Sequence, residues 1–202
     1  MSGPLEGYKV LELTSTVSGP FASMMLADQG AEVTKVEPPG IGDLARFMGT
    51  NKTGIGAMFT VLNRNKKCIC LDFKNPEDFE VLTKLIQETD VLVENYRPGI
   101  VKKLGIDYDS AVKINPEIIY CSISGYGQSG PYKERKVYDP LIQATAGTAA
   151  AQSSSNPEFF RTIVFDKVTA LTAAQTITSA LLQKERIGKG QYIPISMMDS
   201  AL

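Results

Sequence analysis

An α/β fold, with a Rossmann-like, mainly parallel sheet and helices on both faces, is predicted by two features of this sequence. Apolar runs of strand length recur along the chain. Segments with helical spacing separate them. That alternation of apolar strands with helices argues for a mainly parallel sheet covered on both faces. The 202 residues are 43% hydrophobic and 21% charged, enough for one sizeable core. With no internal repeat, residues 1–202 read as one domain.

The first strand is YKVLELT (8–14). GPFASMMLADQGA (19–31) follows as a helix, with Pro20 suited to its first turn and Gly30 to its C-terminal cap. EVTKVE (32–37) is the second strand. A Gly- and Pro-rich loop, PPGIGDLARFMGTNKTGIG (38–56), leads to a short helical piece over 57–63. KCICLDF (67–73) is the third strand. NPEDFEVLTKLIQET (75–89) is a helix with Asn75 as N-cap, Pro76 at its first position and acids in its first turn. DVLVEN (90–95) is a strand, YDSAVKIN (108–115) a short helix and EIIYCSIS (117–124) a strand. The loop GYGQSGPYKERKVYD precedes a helix over 139–150 and the polar linker AQSSSNPE (151–158). A long helix over 167–187 ends at Gly188 and Gly190, and QYIPIS (191–196) is the last strand.

Composition removes several classes of function. Net charge is −1, so no basic excess points to nucleic acid. No apolar run approaches the ~20 residues of a membrane span, and MSGPLEGYKVLEL lacks the pattern of a secretory signal. A reducing cytoplasm fits three cysteines that cannot all pair. Cys68 and Cys70 alternate in KCICLDF and read as buried core thiols, with a two-cysteine metal site as the alternative; no metal is expected. The chain contains no histidine, which excludes Ser-His-Asp and Cys-His catalysis. Chemistry must then use carboxylates, lysines, tyrosines or backbone groups.

In a sheet of this kind, ligands sit at the carboxyl ends of the strands, so the loops 14–19, 37–56, 72–75, 94–99 and 124–138 are the places to search. Ser15 to Gly19 open a helix whose free N–H groups suit an anion, or form an ordinary capped turn. The GxGxxG dinucleotide fingerprint is missing, although Glu37 stands where a ribose-binding acid would. Asn95, Tyr96 and Arg97, with Lys102 and Lys103 a turn later, suit a purine carrying phosphates, or a solvated basic turn. The 124–139 loop carries three tyrosines with Lys133, Arg135 and Lys136. Finally, the apolar run Thr162-Ile163-Val164-Phe165 meets a bare carboxylate, Asp166, where a core segment would carry another apolar residue. Its plain reading is the N-cap of the following helix.

Five separated stretches together resemble one family. They are LEGYKVLELTSTVSGPFASMMLADQGAEVTKVEPPGIGD, NRNKKCICLDFKNPE, DVLVENYRPG, YCSISGYGQSGPY and KERIGKGQYIPISMMDSAL. In order and spacing they resemble the N-terminal part of the class III CoA-transferases, also called carnitine/bile-acid-inducible CoA-transferases, with formyl-CoA:oxalate CoA-transferase and α-methylacyl-CoA racemase as relatives. The resemblance implies that Asp166 is a covalent nucleophile passing CoA from an acyl-CoA donor to a carboxylic acid acceptor through an anhydride and an aspartyl-CoA thioester. An aspartate with a pKa near ~3.9 would need no activating base, and the nucleophile and N-cap readings are compatible.

The resemblance also implies contacts with coenzyme A. Val17 and Ser18 match the loop at the first helix, and Leu71 and Lys74 match residues flanking the adenine. Asn95, Tyr96 and Arg97 match a CoA-contacting loop, Lys103 a basic position near the phosphates, and Lys136, Val137, Tyr138 and Asp139 a segment beside the thioester. Pro38 stands where relatives often carry an arginine, with Lys35 or Arg46 as possible substitutes. Tyr138 stands in place of the racemase histidine, leaving a racemase-like enzyme or a non-catalytic CoA-binding module as alternatives. Family chains continue into a second domain and form interlocked dimers. SMMDSAL opens a helix with unpaired apolar residues, so a homodimer or a complementing C-terminal subunit is expected, or a truncated form inefficient by itself.

Overall fold

The computed structural model describes residues 3–51, 54–153 and 155–202. Lys52 and Thr53 of the long loop, Ser154 of the linker and the first two residues lie outside that description. The strands are β1 (Lys9–Leu13), β2 (Glu32–Glu37), β3 (Lys66–Cys70), β4 (Val91–Glu94), β5 (Ile119–Ser124) and β6 (Tyr192–Ser196). They form one sheet in the order β3-β2-β1-β4-β5-β6, every pair parallel. The helices are α1 (Ser18–Asp28), α2 (Ala57–Leu62), α3 (Pro76–Glu88), α4 (Ile100–Leu104), α5 (Tyr108–Ile114), α6 (Asp139–Thr145), α7 (Thr148–Ala151), α8 (Val164–Ile187) and α9 (Met197–Ala201).

Alternate residues of the central strands feed two cores, because successive side chains leave a strand on opposite faces. Val10, Val33, Val91, Val93 and Ile119 meet Ala22 and Leu26 of α1 and Ala170, Ala173, Ile177 and Leu181 of α8. The alanines of α8 let α1 lie close beside it. On the other face Leu11, Leu13, Leu92 and Tyr120 meet Leu82 and Ile86 of α3 and Ala111 of α5. All four residues of β4 are buried, as the unbroken run VLVE requires.

The sheet also sets the site. From β1 the chain winds outward through β2 to β3, then returns to place β4 on the other side of β1. The strand order reverses between β1 and β4, and the loops leaving their carboxyl ends border the cavity described below.

Several expectations are corrected. β3 stops at Cys70, not at 73, because it pairs only with β2, whose last residue, Glu37, is the partner of Cys70. As an edge strand it leaves Cys68 and Cys70 exposed, so they are not core thiols. The helix expected over 139–150 is two, α6 and α7, divided at Gly147 with φ +78°. The run Ile100–Leu104 forms α4, five residues between Gly99 and Gly105, both left-handed; so short a helix shows no periodicity. The start of α8 lies at Val164, so the apolar run before Asp166 is partly its first turn. In SMMDSAL, Met197 is buried, and Met198 and Ala201 pack with it on Ile142 and Phe165, so only part of its apolar content lacks a partner.

Candidate active site

Thr16, in the loop after β1, has φ +72°, a left-handed conformation that a β-branched residue adopts only when held. Its N–H donates to Asp43 Oδ1 at 2.9 Å. Asp43 is buried and pairs through Oδ2 with Lys35 Nζ at 2.9 Å. Lys35 also pairs with Glu12 at 2.8 Å, and Glu12 with Lys66 at 2.7 Å, all with side chains fully buried. Ser15 is clamped as well: its N–H donates to Asn95 Oδ1 at 3.0 Å and its carbonyl accepts from Asn95 Nδ2 at 2.9 Å. The side-chain amide of Asn95 thus ties the loop after β1 to the loop after β4. Next comes Gly19, where a Cβ would lie 2.4 Å from the side chain of Thr14, so only glycine lets α1 start this close to β1.

Asp166 stands in the first turn of α8. It is not the N-cap: that position is Ile163, whose side chain accepts nothing. The cap comes from across the chain. Asp139, buried at the start of α6, accepts the N–H groups of Phe165 and Asp166 with one carboxylate oxygen. Gln143, one turn on, donates to the other oxygen and accepts the Phe160 N–H at 2.7 Å. Asp139 and Gln143 together fix the approach to Asp166.

The Asp166 carboxyl is pushed up from 3.8 to about 6, chiefly by burial and then by the Asp139 charge, while the Ser18 N–H at the N-terminus of α1 pulls it down. The unperturbed value expected from the sequence does not hold. At neutral pH the group is nevertheless mostly ionised, and a poorly solvated carboxylate is a better nucleophile.

A cavity of about 500 Å³ opens over Asp166. Val17, Ser18, Asn95, Tyr96, Arg97, Lys136, Val137 and Tyr138 line it, with Lys133, Arg135, Gly125 and Met197. Among the described residues, Asp166 is the one acid in the lining, against Arg97, Lys133, Arg135 and Lys136. None of these four cations forms an ion pair among the described residues. Arg135 is held over the Tyr132 ring at 3.9 Å. The arrangement suits a polyanion whose reacting end meets a carboxylate.

Four of the expected contact residues lie outside this lining. Leu71 is buried, Lys74 and Lys103 are exposed, and Asp139 is the cap described above. The suggested substitutes for an arginine at Pro38 are both engaged. Lys35 is enclosed by Glu12 and Asp43, and Arg46 binds Glu37 through Nε at 2.7 Å and a terminal nitrogen at 2.6 Å. Sequence reading missed Gln143, Glu12 and Asp43. A charge inside an apolar strand, Glu12 or Lys35, was the visible signal of the buried network. Gln143 left none.

The description of CoA-transferase family III matches residues 5–202. The chain belongs to CoA-transferase family III. It is 41% identical over 204 residues to succinyl-CoA:glutarate CoA-transferase of Homo sapiens, covering 98% of this chain and 46% of that one. To formyl-CoA:oxalate CoA-transferase of Bradyrhizobium sp. (strain ORS 278) it is 40% identical over 205 residues, covering 100% and 48%. A crystal structure of a CaiB/BaiF family protein from Brucella suis superposes with TM-score 0.94 at 38% identity, covering all of this chain and 55% of that one. The chain spans about half the length of the curated family III relatives it matches.

Proposed function

We propose that this chain is the CoA-binding, nucleophile-bearing part of an enzyme that moves CoA from an acyl-CoA donor to a carboxylic acid acceptor. The observation that carries this reading is the partly desolvated carboxylate of Asp166 under a cation-lined cavity, in a chain without histidine.

A carboxylate oxygen of Asp166 attacks the thioester carbonyl. The C–S bond breaks and CoA leaves as thiolate, with a mixed anhydride on Asp166. The thiolate attacks the aspartyl carbonyl of the anhydride, expelling the donor acid as carboxylate and leaving an aspartyl-CoA thioester. The acceptor carboxylate attacks that thioester and regenerates thiolate and anhydride. The thiolate then takes the acceptor acyl group and frees Asp166. No step needs a proton acceptor, which suits these residues. The Ser18 N–H at the N-terminus of α1 meets the reacting carboxylate and stabilises negative charge there. Arg97, Lys133, Arg135 and Lys136 serve the phosphates. Tyr96 faces the adenine, with Leu71, Lys74 and Lys103 at the outer end of the nucleotide.

The relatives' greater length supports a further part of the enzyme, in the same assembly, that excludes water from the anhydride. A homodimer or a complementing subunit would supply it, in a reducing compartment such as the cytoplasm, where Cys68 and Cys70 stay free.

Isotopic exchange between labelled CoA and an acyl-CoA tests the reading, using the chain with the polypeptide that completes its relatives' length. Exchange should rise with pH through about 6 and vanish in Asp166→Asn, with CoA affinity kept. Normal exchange by that variant would refute the assignment. Saturable CoA binding without exchange in the unaltered protein would leave a binding module.

A further inference from the structure

Glu94, the last residue of β4, is 1% exposed. A carboxylate so buried ordinarily has a cation beside it, as Glu12 has two lysines. Among the described residues Glu94 has none. Its ionisation answers only to burial, the Ser122 hydroxyl and the Tyr96 N–H. One oxygen accepts the Tyr96 N–H at 2.8 Å and the other accepts the Ser122 hydroxyl. Ser122 Oγ in turn accepts Nε2–H of Gln128 at 2.8 Å. Three side chains thus run from the loop after β4, across β5, to the 125–138 loop. Those two loops supply separate stretches of the cavity wall, Asn95 to Pro98 from one, and Lys133 with Arg135 to Tyr138 from the other.

We propose that Glu94 is a positioning residue, tying these two loops together from beneath the cavity and so setting their spacing for the CoA thioester. The part concerning CoA rests on the transfer reading above; the coupling of the loops does not.

The hydrogen bonds at Glu94 suit its ionised form. A carboxylate accepts at both oxygens, so the Tyr96 N–H and the Ser122 hydroxyl both point inward. A proton placed between Glu94 and Ser122 turns Glu94 into a donor there. Ser122 Oγ then receives hydrogens from Glu94 and Gln128, and its own hydrogen must turn away from Glu94, toward the Tyr192 hydroxyl. Burial pushes Glu94 up to about 7, so both states occur at neutral pH. The titratable groups facing it are Tyr96, Tyr120, Cys121 and Tyr192, each itself pushed up and neutral in this range. Lys35 lies beyond Tyr96 and Asp107 beyond Tyr120.

Two measurements test this. In the chain without ligand, the Tyr96 backbone amide and the Gln128 side-chain amide are followed by NMR across neutral pH. Both should move with one midpoint near 7, and the response should vanish in Glu94→Gln. In Ser122→Ala, Tyr96 should still respond and Gln128 should not, which keeps the test open if the Glu94→Gln variant folds poorly. Different midpoints, or a response that survives Glu94→Gln, would overturn the coupling. The second measurement is calorimetric binding of free CoA, in an Asp166→Asn background that removes the other group titrating near this range. The affinity ratio between chains without and with the Glu94→Gln substitution cancels titration of the CoA phosphates themselves. It should rise about fivefold from below to above neutrality, the worth of one hydrogen bond to a charged partner over a neutral one. A flat ratio would overturn the role in CoA binding. Absence of CoA binding at every pH would overturn that role and the transfer reading together, while the NMR result would still decide the coupling.

Discussion

Asp166 is placed where a carboxylate is uncomfortable. It is mostly enclosed, and the Asp139 charge is close by. Its folded pKa, raised to about 6 from 3.8, means that the fold favours the protonated form. The stabilisation from that preference is complete below about pH 4 and is lost as pH rises through about 6. Above that, ionised Asp166 weakens the native state by about 1–2 kcal/mol, below the ~3 kcal/mol ceiling of a two-unit shift because the group keeps some solvent. Asp166→Asn should therefore match the unaltered chain in urea unfolding at pH 4, gain on it between pH 4 and 6, and hold a constant advantage at higher pH. A variant less stable at pH 8 would mean that the carboxylate is solvated or paired. Such an exchange of stability for reactivity is common at sites of chemistry.

Helix α8 is where local and distant information part. Its C-terminal end is legible, because Gly188 takes the left-handed cap. Its start is not, since the residue that accepts its first N–H groups is Asp139, 27 positions before Asp166. Asp139→Ala should leave those groups unpaired and release Gln143, costing about 1–2 kcal/mol in urea unfolding. Asp139→Asn keeps an acceptor at the cap and should cost less. An unchanged midpoint in the alanine variant would show that water replaces the cap. The other elements divide in the same way. Asn75 and Pro76 announce α3, and the Asn75 side chain accepts the Glu77 N–H at 2.9 Å. β1, β4, β5 and β6 were readable as short, largely apolar runs, whereas β2 and β3 carry charged residues among their apolar ones and were readable by their place in the alternation. The exposure of Cys68 and Cys70 was hidden, since it depends on which strand lies at the sheet's edge. The cavity residues Val17, Ser18 and Asn95 to Arg97 were reachable by resemblance. Glu94 and Gln143 were not, because their work is to hold others from beneath, through contacts distant in sequence.

Across the whole molecule, buried charge serves the site more than stability. Glu12, Lys35, Asp43 and Lys66 balance two acids against two bases, and the cost of desolvating such ions offsets most of their mutual attraction. Their arrangement links β1, β2 and β3 to Thr16, beside the N-terminus of α1. The parallel sheet brings the loops after β1, β4 and β5 to one end, and α8 delivers Asp166 to the same place. The proposed transfer depends on that carboxylate becoming covalently attached to the substrate. The measurement that reaches this most directly is hydroxylamine trapping during exposure of the assembly to an acyl-CoA, followed by peptide mass spectrometry. A hydroxamate is expected on Asp166, requiring acyl-CoA and absent from Asp166→Asn. CoA exchange with no trapped species, or a hydroxamate at another carboxylate such as Asp139, would contradict that expectation.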